Sequence, residues 1–357
     1  MALDTTVIDN ATILAGATLE PIERGRLVLR GEQIAAVGAA DQVGVPEGAG
    51  RTDASGLVLI PGFIDAHVHI AFASPGEVLR QGVTTVRDLG WPPPLIFELS
   101  ERSRDPSFDG PEIIAAGPIF TVEGGYPTRA AWAPEGTGFP LASAAEARTA
   151  VRGAVEAGSR VIKFALNPEV GPVLDLDTLR ALVEAAHDEG LKATGHVSGL
   201  TELDKAMAAG ADELAHMLMS TERIPQETIE AMVANGMAVV PTLSVRFGRD
   251  REVALANLSA FADAGGTVVY GTDLGNQGPE PGIDRREVDA MAEAGFEALD
   301  IIASATVVAS EWLDLPAKGV LEEGRDADVL ALPREVLDDP LRLTEVAMVW
   351  RRGRRVR

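Results

Sequence analysis

Five segments of the chain repeat one pattern, in which a helical stretch ends in glycine and a short apolar strand follows. A glycine fits the position just after a helix because it tolerates left-handed backbone angles. Three apolar stretches upstream, LIPGFIDAHVH, VTTVRDLG and EIIAAGPIF, raise the number of strands alternating with helices to eight. Such alternation demands a parallel sheet, and eight units within about 250 residues predict a (β/α)8 TIM-like barrel of the α/β class. A doubly wound open sheet is the alternative. The five glycines are Gly158, Gly190, Gly210, Gly236 and Gly265.

Both ends of the chain have a different pattern from its middle. Residues 1–55 contain short β-like pieces with hairpin signals and no helical period, and residues 317–357 look similar. We expect the two ends to meet in one small composite β-sandwich domain. The remaining residues, 56–316, then form the barrel. The basic run at the C-terminus, RRGRRVR, reads as part of a hairpin rather than as a phosphate-binding tail.

Polar residues recur at the ends of the predicted strands. His67 and His69 stand two apart at the end of the first strand, so they project from the same face. The C-terminal ends of barrel strands converge on one mouth, where metal or catalytic groups are found. His187 is the one histidine elsewhere, and its helical position indicates an ordinary surface or helix-end residue. The other residues near strand ends are Lys163, His196, His216 and Asp273.

Lys163 is unusual because it lies in the apolar segment VIKFAL of a chain that has only four lysines. Burying an ammonium group is costly unless its charge is removed or paired. Desolvation lowers the pKa of a lysine, and the neutral amine can capture carbon dioxide as a carbamate whose oxygens bridge two metal ions. The alternative is a buried ion pair with a carboxylate such as Asp88.

The charge and composition exclude several classes of partner. A net charge of -23 makes nucleic acid and anionic membrane surfaces poor partners, since both need basic residues that neutralise phosphates. No apolar run is long enough to cross a bilayer, and no signal peptide is evident. The absence of cysteine agrees with a cytoplasmic location and leaves His, carboxylate or modified Lys as the metal ligands.

With these residues in place, the chain resembles the binuclear amidohydrolase superfamily. Within it, the chain looks like the imidazolonepropionase-like and Xaa-Pro dipeptidase branch. The supporting stretches are the HVH pair, GVTTVRDLG, GLKATGHVSG, GMAVVPTLSV, VVYGTD and GVLEEGRDADVLAL. The resemblance implies a metal-dependent hydrolase that cleaves an amide (C–N) bond in a small-molecule substrate. An N-acyl amino acid, a dipeptide and a cyclic amide are the expected substrate classes.

The resemblance also implies a role for each matching residue. It assigns His67, His69 and Asp273 to one divalent ion and His196 with His216 to the other. The carbamate of Lys163 bridges the two ions, for which zinc suits the His-rich ligand set best. A hydroxide shared by the ions attacks the carbonyl, and Asp273 moves the proton from the attacking water to the leaving nitrogen.

The chain departs from the family pattern at the loops that would contact substrate. EGGYPTR replaces a Gly-Gly-His after strand three, so Tyr126 and Arg129 become candidate substrate contacts, with loop packing as the alternative. Arg246 is a candidate for gripping a substrate carboxylate, with a surface salt bridge as the alternative. Short loops after strands one and four leave the mouth open or place it against a second subunit of a homo-oligomer.

Other activities on the same fold are weighed by residues. A mononuclear deaminase would carry Glu three residues after His196, but the run here is HVSG. A lactonase or phosphotriesterase would use the same ions, and only a substrate panel separates it from an amide hydrolase. A binding or assembly protein descended from such an enzyme would have lost metal ligands, and none is missing.

Overall fold

The computed structural model describes residues 5–357. Helices surround parallel strands in the middle of the chain, and strands from both ends form a separate sheet. None of the helices within this range combines the length and the apolar character needed to cross a membrane. The strands are β1 (Thr5–Ala15), β2 (Glu20–Arg30), β3 (Gln33–Ala39), β4 (Gly50–Asp53), β5 (Leu57–Pro61), β6 (Phe63–Val68), β7 (Val83–Asp88), β8 (Glu112–Ala115), β9 (Ile119–Thr121), β10 (Gly138–Pro140), β11 (Ile162–Leu166), β12 (Ala193–Val197), β13 (Glu213–Leu214), β14 (Ala238–Val239), β15 (Thr267–Val268), β16 (Val329–Pro333), β17 (Met348–Arg351) and β18 (Arg354–Arg355). The helices are α1 (Pro75–Arg80), α2 (Pro93–Ser103), α3 (Ala144–Ala157), α4 (Leu176–Asp188), α5 (Leu200–Ala209), α6 (Gln226–Ala234), α7 (Gly248–Asp263), α8 (Arg285–Glu293), α9 (Ala298–Ala305) and α10 (Val307–Trp312).

The terminal strands form one eight-stranded sheet instead of the two facing sheets expected of a sandwich. Its order is β18-β17-β16-β5-β1-β2-β3, with β4 paired to β1. The sheet is continuous because β5 pairs in parallel with β1 on one side and antiparallel with β16 on the other. Hydrogen bonding through β5 therefore joins the two ends of the chain, and β5 itself lies beyond the expected boundary at residue 55.

Both faces of this sheet are buried. In β16, Val329 and Ala331 pack into a cluster formed by the terminal strands themselves, whereas Leu330 and Leu332 pack into the main core. Successive residues of a strand point to opposite faces, so one face of the sheet folds over its own cluster and the other covers the central part of the chain. This double burial explains why these strands read as apolar runs rather than as a strict alternation.

The central strands are all parallel to their neighbours. One sheet has the order β6-β7-β8, and the other runs β10-β9-β11-β12-β13-β14-β15. Strand order follows the chain from β11 to β15 without the reversal that defines a doubly wound sheet. The five glycines at the predicted helix ends all have positive φ angles, as the sequence indicated.

Backbone hydrogen bonds also join the edges of the two parallel sheets. The N–H of Ala66 donates to the carbonyl of Tyr270 at 2.9 Å, which links β6 to the segment after β15. At the other edge, the N–H of Arg160 donates to the carbonyl of Ala115 at 3.0 Å, which links β8 to the segment before β11. These bonds agree with the expected barrel architecture.

The predicted third strand, EIIAAGPIF, is divided in the structure. Its first half forms β8, which pairs with β7, and its second half forms β9, which pairs with β11. Gly117 has a φ of 78° and is followed by Pro118, which has no N–H for a strand ladder. The two residues end the first piece and redirect the chain toward the next neighbour.

A buried lysine joins the terminal sheet to the central strands. The ammonium of Lys318 lies 2.8 Å from Asp328, 3.1 Å from Asp326 and 3.1 Å from Glu112 on β8. Its side chain is only 7% exposed, so its single positive charge meets the three carboxylates largely out of contact with water. Burial lowers the pKa of Lys318, but the three carboxylates outweigh this effect and raise it above its usual value.

We expect Lys318→Met to lower the free energy of unfolding by about 3 to 5 kcal/mol, because it leaves buried carboxylates without their cation. Denaturant unfolding of both proteins at pH 7 measures the change. Lys192→Met is the matched control, since Lys192 is only half-buried and its ammonium faces the ring of Trp312. A loss below about 1 kcal/mol for Lys318→Met, as for an exposed ion pair, would contradict the role of this cluster.

Candidate metal centre

The six residues that the sequence predicts as metal ligands all line one cavity of about 290 Å³. His67 lies on β6, Lys163 on β11 and His196 on β12, while His216 and Asp273 follow β13 and β15. His67 and His196 lie next to the C-terminal ends of their strands, and His216 and Asp273 lie just beyond theirs, where side chains of parallel strands converge. Lys163 differs from the expectation, because it is the second residue of β11. His69 directly follows β6. The other lining residues are Ile119, Tyr126, Met219, Val245, Phe247, Asn276 and Gln277.

His67, His69 and Asp273 form the tightest potential ligand group. One carboxylate oxygen of Asp273, Oδ1, lies 3.3 Å from Nε2 of His67 and 3.3 Å from Nε2 of His69. The ligand atoms of the three residues all lie within 4.8 Å of one another. Oδ1 is buried and has no hydrogen-bond partner within the described residues. A cation between these atoms would satisfy it.

Backbone carbonyls orient the first two histidines. Nδ1 of His67 lies 2.6 Å from the carbonyl of Ala215, and Nδ1 of His69 lies 3.2 Å from that of Gly90. A carbonyl only accepts, so each Nδ1 carries the proton and each Nε2 keeps a free lone pair toward Asp273. Such fixing of the tautomer by an outer hydrogen bond is typical of metal-binding histidines.

The remaining two histidines form the neighbouring part of the cavity. The ring centroid of His216 lies 4.6 Å from that of His67 and 4.8 Å from that of His196. Nδ1 of His216 lies 2.8 Å from the hydroxyl of Thr242, which leaves Nε2 for a ligand. These rings connect the His67 group to the far side of the cavity.

His196 has an outer partner in Asn167. The amide nitrogen of Asn167 lies 3.3 Å from Nε2 of His196, while the amide oxygen of Asn167 has no partner within the described residues. Turning the amide over would let Nε2–H donate to that oxygen and satisfy both groups. Nδ1 of His196 is then the nitrogen with a free lone pair.

Burial keeps three of the four imidazoles neutral; it also lowers the pKa of His69, but the adjacent carboxylate of Asp273 outweighs this effect and raises that pKa above its usual value. Burial and the nearby charge of Lys163 together lower the pKa of His196 to about 3. The pKa values of His67 and His216 fall well below the usual range, again mainly through burial. Neutral imidazole is the form that coordinates a metal ion, so these side chains are in the correct state at neutral pH.

Lys163 is buried at the floor of the cavity without a partner. Its ammonium nitrogen makes no hydrogen bond with any residue of the described chain. Burial lowers the pKa of Lys163 to about 7, although the charges of Asp273 and Glu213 act in the opposite direction. A substantial fraction of the side chain is therefore a neutral, nucleophilic amine at neutral pH, the form that carbamate formation requires.

The alternative ion pair between Lys163 and Asp88 is absent from the described structure. The carboxylate of Asp88 instead accepts from the backbone N–H groups of Ile70 at 2.8 Å and Gly90 at 3.1 Å. Asp88 thereby fixes the turns that follow β6 and β7. The ion pair that was weighed as the alternative to a carbamate therefore has no support from the contacts of Asp88.

A buried ion pair that the sequence analysis missed lies beside Lys163. Arg87 donates to Glu213 at 2.6 Å, and both side chains are 1% exposed. The hydroxyl of Thr194 donates to the same carboxylate at 2.6 Å. The sequence could have predicted this pair, since Arg87 and Glu213 are charged residues inside apolar strand segments.

Of the three predicted substrate contacts, only Tyr126 lines the cavity. Its ring stacks on His196 with centroids 4.8 Å apart. Arg129 is exposed on the loop and does not line the cavity. Arg246 is buried and also outside the lining, with its guanidinium 2.9 Å from the carboxylate of Asp250 and donating to the carbonyl of Met217.

His187 lies outside the cavity, as expected. It is on α4, with Nε2 2.9 Å from the carboxylate of Asp212. Sequence reasoning missed an aromatic residue next to the site, Trp132, whose ring centroid lies 5.1 Å from that of His69. Its segment, AAWAPEG, has no strand or helix pattern that would have placed it there.

Comparisons with known proteins agree with this geometry. An uncharacterised protein of Mycobacterium tuberculosis is 28% identical over 330 residues, covering 83% of this chain and 84% of that protein. Ochratoxinase of Aspergillus niger is 28% identical over 420 residues, covering 94% and 83%. A crystal structure of a Xaa-Pro dipeptidase with bound methionine covers 99% of both chains with a TM-score of 0.85 and 23% identity, which shows a shared fold. The profile of the amidohydrolase family matches residues 58–356, and the chain belongs to this family.

Proposed function

We propose that this protein is a binuclear metal-dependent hydrolase that cleaves an amide C–N bond of a small molecule. The substrate classes are an N-acyl amino acid, a dipeptide or a cyclic amide. The observation that carries the proposal is the joint burial of four histidines, Asp273 and an unpartnered Lys163 around one cavity. The names of the ochratoxinase and Xaa-Pro dipeptidase relatives support hydrolysis, and the second name supports cleavage of a peptide bond.

The donor set fits two divalent ions, for which we infer zinc. His67, His69 and Asp273 would hold the first ion, and His196 with His216 would hold the second. A carbamate on Lys163 would supply one oxygen to each ion and would give the unpartnered nitrogen a role. The buried Oδ1 of Asp273 also gains its missing partner in this arrangement. Imidazole nitrogens with carboxylate oxygens are a usual set for zinc.

The protein's own groups then divide the reaction between them. When bound, the ions supply Lewis acidity and a nucleophile at neutral pH. Asp273 accepts the proton of the attacking water and passes it to the leaving nitrogen as the C–N bond breaks. Its backbone N–H donates to the carbonyl of His67 at 2.7 Å, which holds the carboxylate beside the histidines. The Tyr126 ring limits the cavity next to His196.

We also infer that the central strands close into a (β/α)8 barrel, supported by the backbone hydrogen bonds at both sheet edges. The terminal strands would form a separate small domain from residues up to 61 and from 317 to 357. This boundary is later than the expected residue 55, because β5 belongs to the terminal sheet.

Elemental analysis of gently purified protein is expected to find about two divalent ions per chain, as binuclear hydrolases require. His67→Ala and His216→Ala should each lose metal together with nearly all activity. His187→Ala is the matched control and should keep both, since His187 lies on α4 away from the cavity. Full activity with at most one tightly held ion would contradict the binuclear proposal.

A substrate panel tests the reaction itself. We expect cleavage of amides and no ammonia release from aminopurines or aminotriazines, because no Glu follows His196 at the position expected in a deaminase. Lactones and phosphotriesters belong in the same panel, since the same ions would serve them. Turnover restricted to lactones, phosphotriesters or amino-substituted rings would replace amide hydrolysis as the function.

Lys163→Ala distinguishes a bridging carbamate from a simple buried lysine. Loss of a bridging anion should remove one or both ions and lower kcat/KM by about a thousandfold or more. Small carboxylates such as acetate, added with zinc, should restore part of that activity by replacing the carbamate oxygens. Metal content, activity and thermal stability are measured on the same preparation.

Lys192→Ala is the control for Lys163→Ala, because it removes a lysine outside the cavity. It should keep metal and activity. If Lys163→Ala retained both ions and gained nothing from added carboxylate, the carbamate bridge would be excluded, whatever its stability.

A further inference from the structure

The cavity wall contains almost no permanent positive charge. Apart from histidines, Lys163 is the one basic residue among its lining side chains in the described part of the chain. If Lys163 is a carbamate, the wall offers no ammonium or guanidinium to a substrate carboxylate. The more exposed lining residues are instead amide and apolar side chains, those of Asn276, Gln277, Phe247, Val245 and Met219.

The arginines of the neighbouring loops do not supply the missing charge. Arg246 is already paired with Asp250, which lies 2.9 Å away, and its second nitrogen donates to a backbone carbonyl. Arg129 is exposed on its loop, and Arg286 lies over the ring of Phe247, 5.7 Å from its centroid. None of the three lines the cavity. With the scissile amide at the metal centre, a carboxylate elsewhere in the cavity would lose hydration without gaining an ion pair, which is costly.

Aromatic rings extend the cavity wall outward. The Trp132 ring lies 5.1 Å from His69 and 6.1 Å from Tyr126, both of which line the cavity. The Phe72 ring lies 6.4 Å from Trp132 and remains 48% exposed. Trp91 supports Phe72 from 5.0 Å. A partly exposed, contiguous aromatic surface beside a reactive centre is typical of a binding site for a flat apolar group.

We propose that the substrate is a neutral amide carrying an aromatic group, and that this group stacks on Trp132 and Phe72. The inference rests on the proposed amide hydrolysis and narrows it, because dipeptides and N-acyl amino acids carry a carboxylate. The net charge of -23 also favours a neutral substrate, since it repels anionic ones. Asn276 and Gln277 provide neutral hydrogen-bonding groups for the polar part of such a substrate.

Three related amides test the charge and the ring separately. N-acetyl-2-phenylethylamine is neutral and aromatic, N-acetylphenylalanine adds only a carboxylate to it, and N-acetylethylamine lacks the ring. We expect kcat/KM for the neutral aromatic amide to exceed that of either of the others by about tenfold or more. Equilibrium dialysis of the same amides with the purified enzyme measures binding independently of turnover.

Variants of Trp132 test the stacking surface. Trp132→Ala should raise KM for N-acetyl-2-phenylethylamine about tenfold and change that for N-acetylethylamine less than about twofold, since only the first carries a ring. Trp132→Phe keeps an aromatic ring and should restore most of the loss. Leu299→Ala on α9, an exposed apolar residue outside the cavity, is the control and should leave both substrates unaffected.

The outcomes separate this inference from the proposed function. Cleavage of N-acetylphenylalanine as fast as its neutral counterpart, or equal effects of Trp132→Ala on both neutral amides, would overturn the inference and leave amide hydrolysis standing. If no amide were cleaved, equilibrium dialysis of the same amides would still test the inference. Preferential binding of the neutral aromatic amide, lost in Trp132→Ala, would support the inference alone, and equal, weaker or undetectable binding would overturn it.

Discussion

Polar side chains that would each be costly to bury alone are buried together at one end of the parallel strands. An ammonium, a carboxylate and four imidazoles share one cavity, and burial drives three of the imidazoles, those of His67, His196 and His216, to their neutral forms. Two of their atoms, Nζ of Lys163 and Oδ1 of Asp273, have no partner within the described chain. A protein core normally satisfies such groups, so their clustering indicates a binding function rather than a structural one.

The strands hold these groups through a second polar layer directly beneath them. Arg87 donates both to Glu213 and to the carbonyl of Ala66, and Thr194 donates to Glu213. Ala66 precedes His67, Thr194 lies two residues before His196 on the same strand face, and Glu213 lies three before His216. One buried ion pair thus connects β6, β7, β12 and β13, and three of these strands lead into the histidines of the site. Its charges also reach Lys163, whose pKa is raised by Glu213 and lowered by Arg87.

Four of the six ligands were predicted because each follows a helix-ending glycine by five to eight residues. The other two, His67 and His69, were predicted because they stand two apart at the end of an apolar strand. The spacing after each glycine reflects the length of a strand, so it can be recognised in the sequence without knowledge of the tertiary structure. The division of the third strand at Gly117 was less accessible, because a Gly-Pro pair is compatible with either a turn or a bend within one strand. Arg246 was misleading for a different reason: its position after a strand suggested a substrate contact, whereas Asp250, one helical turn later, already neutralises it. Trp132 depends on the path of an irregular loop, which local patterns do not specify.

The same contacts that join the first and last parallel strands also assemble the ligand set. Asp65 accepts from the N–H of His67 at 3.0 Å and from the hydroxyl of Thr272, the residue before Asp273, at 2.6 Å. One carboxylate therefore holds the ligand segments of the first and last strands together. At this crossing, a Cβ on Gly271 would lie 3.0 Å from the backbone nitrogen of His67 and 2.4 Å from the Val240 side chain, so only glycine fits. Asp273 itself adopts a φ of 58°, a strained value for a residue with a side chain. Because its partners lie some two hundred residues earlier in the chain, the strain is maintained only when the outermost strands have met, and the metal centre therefore depends on completion of the fold.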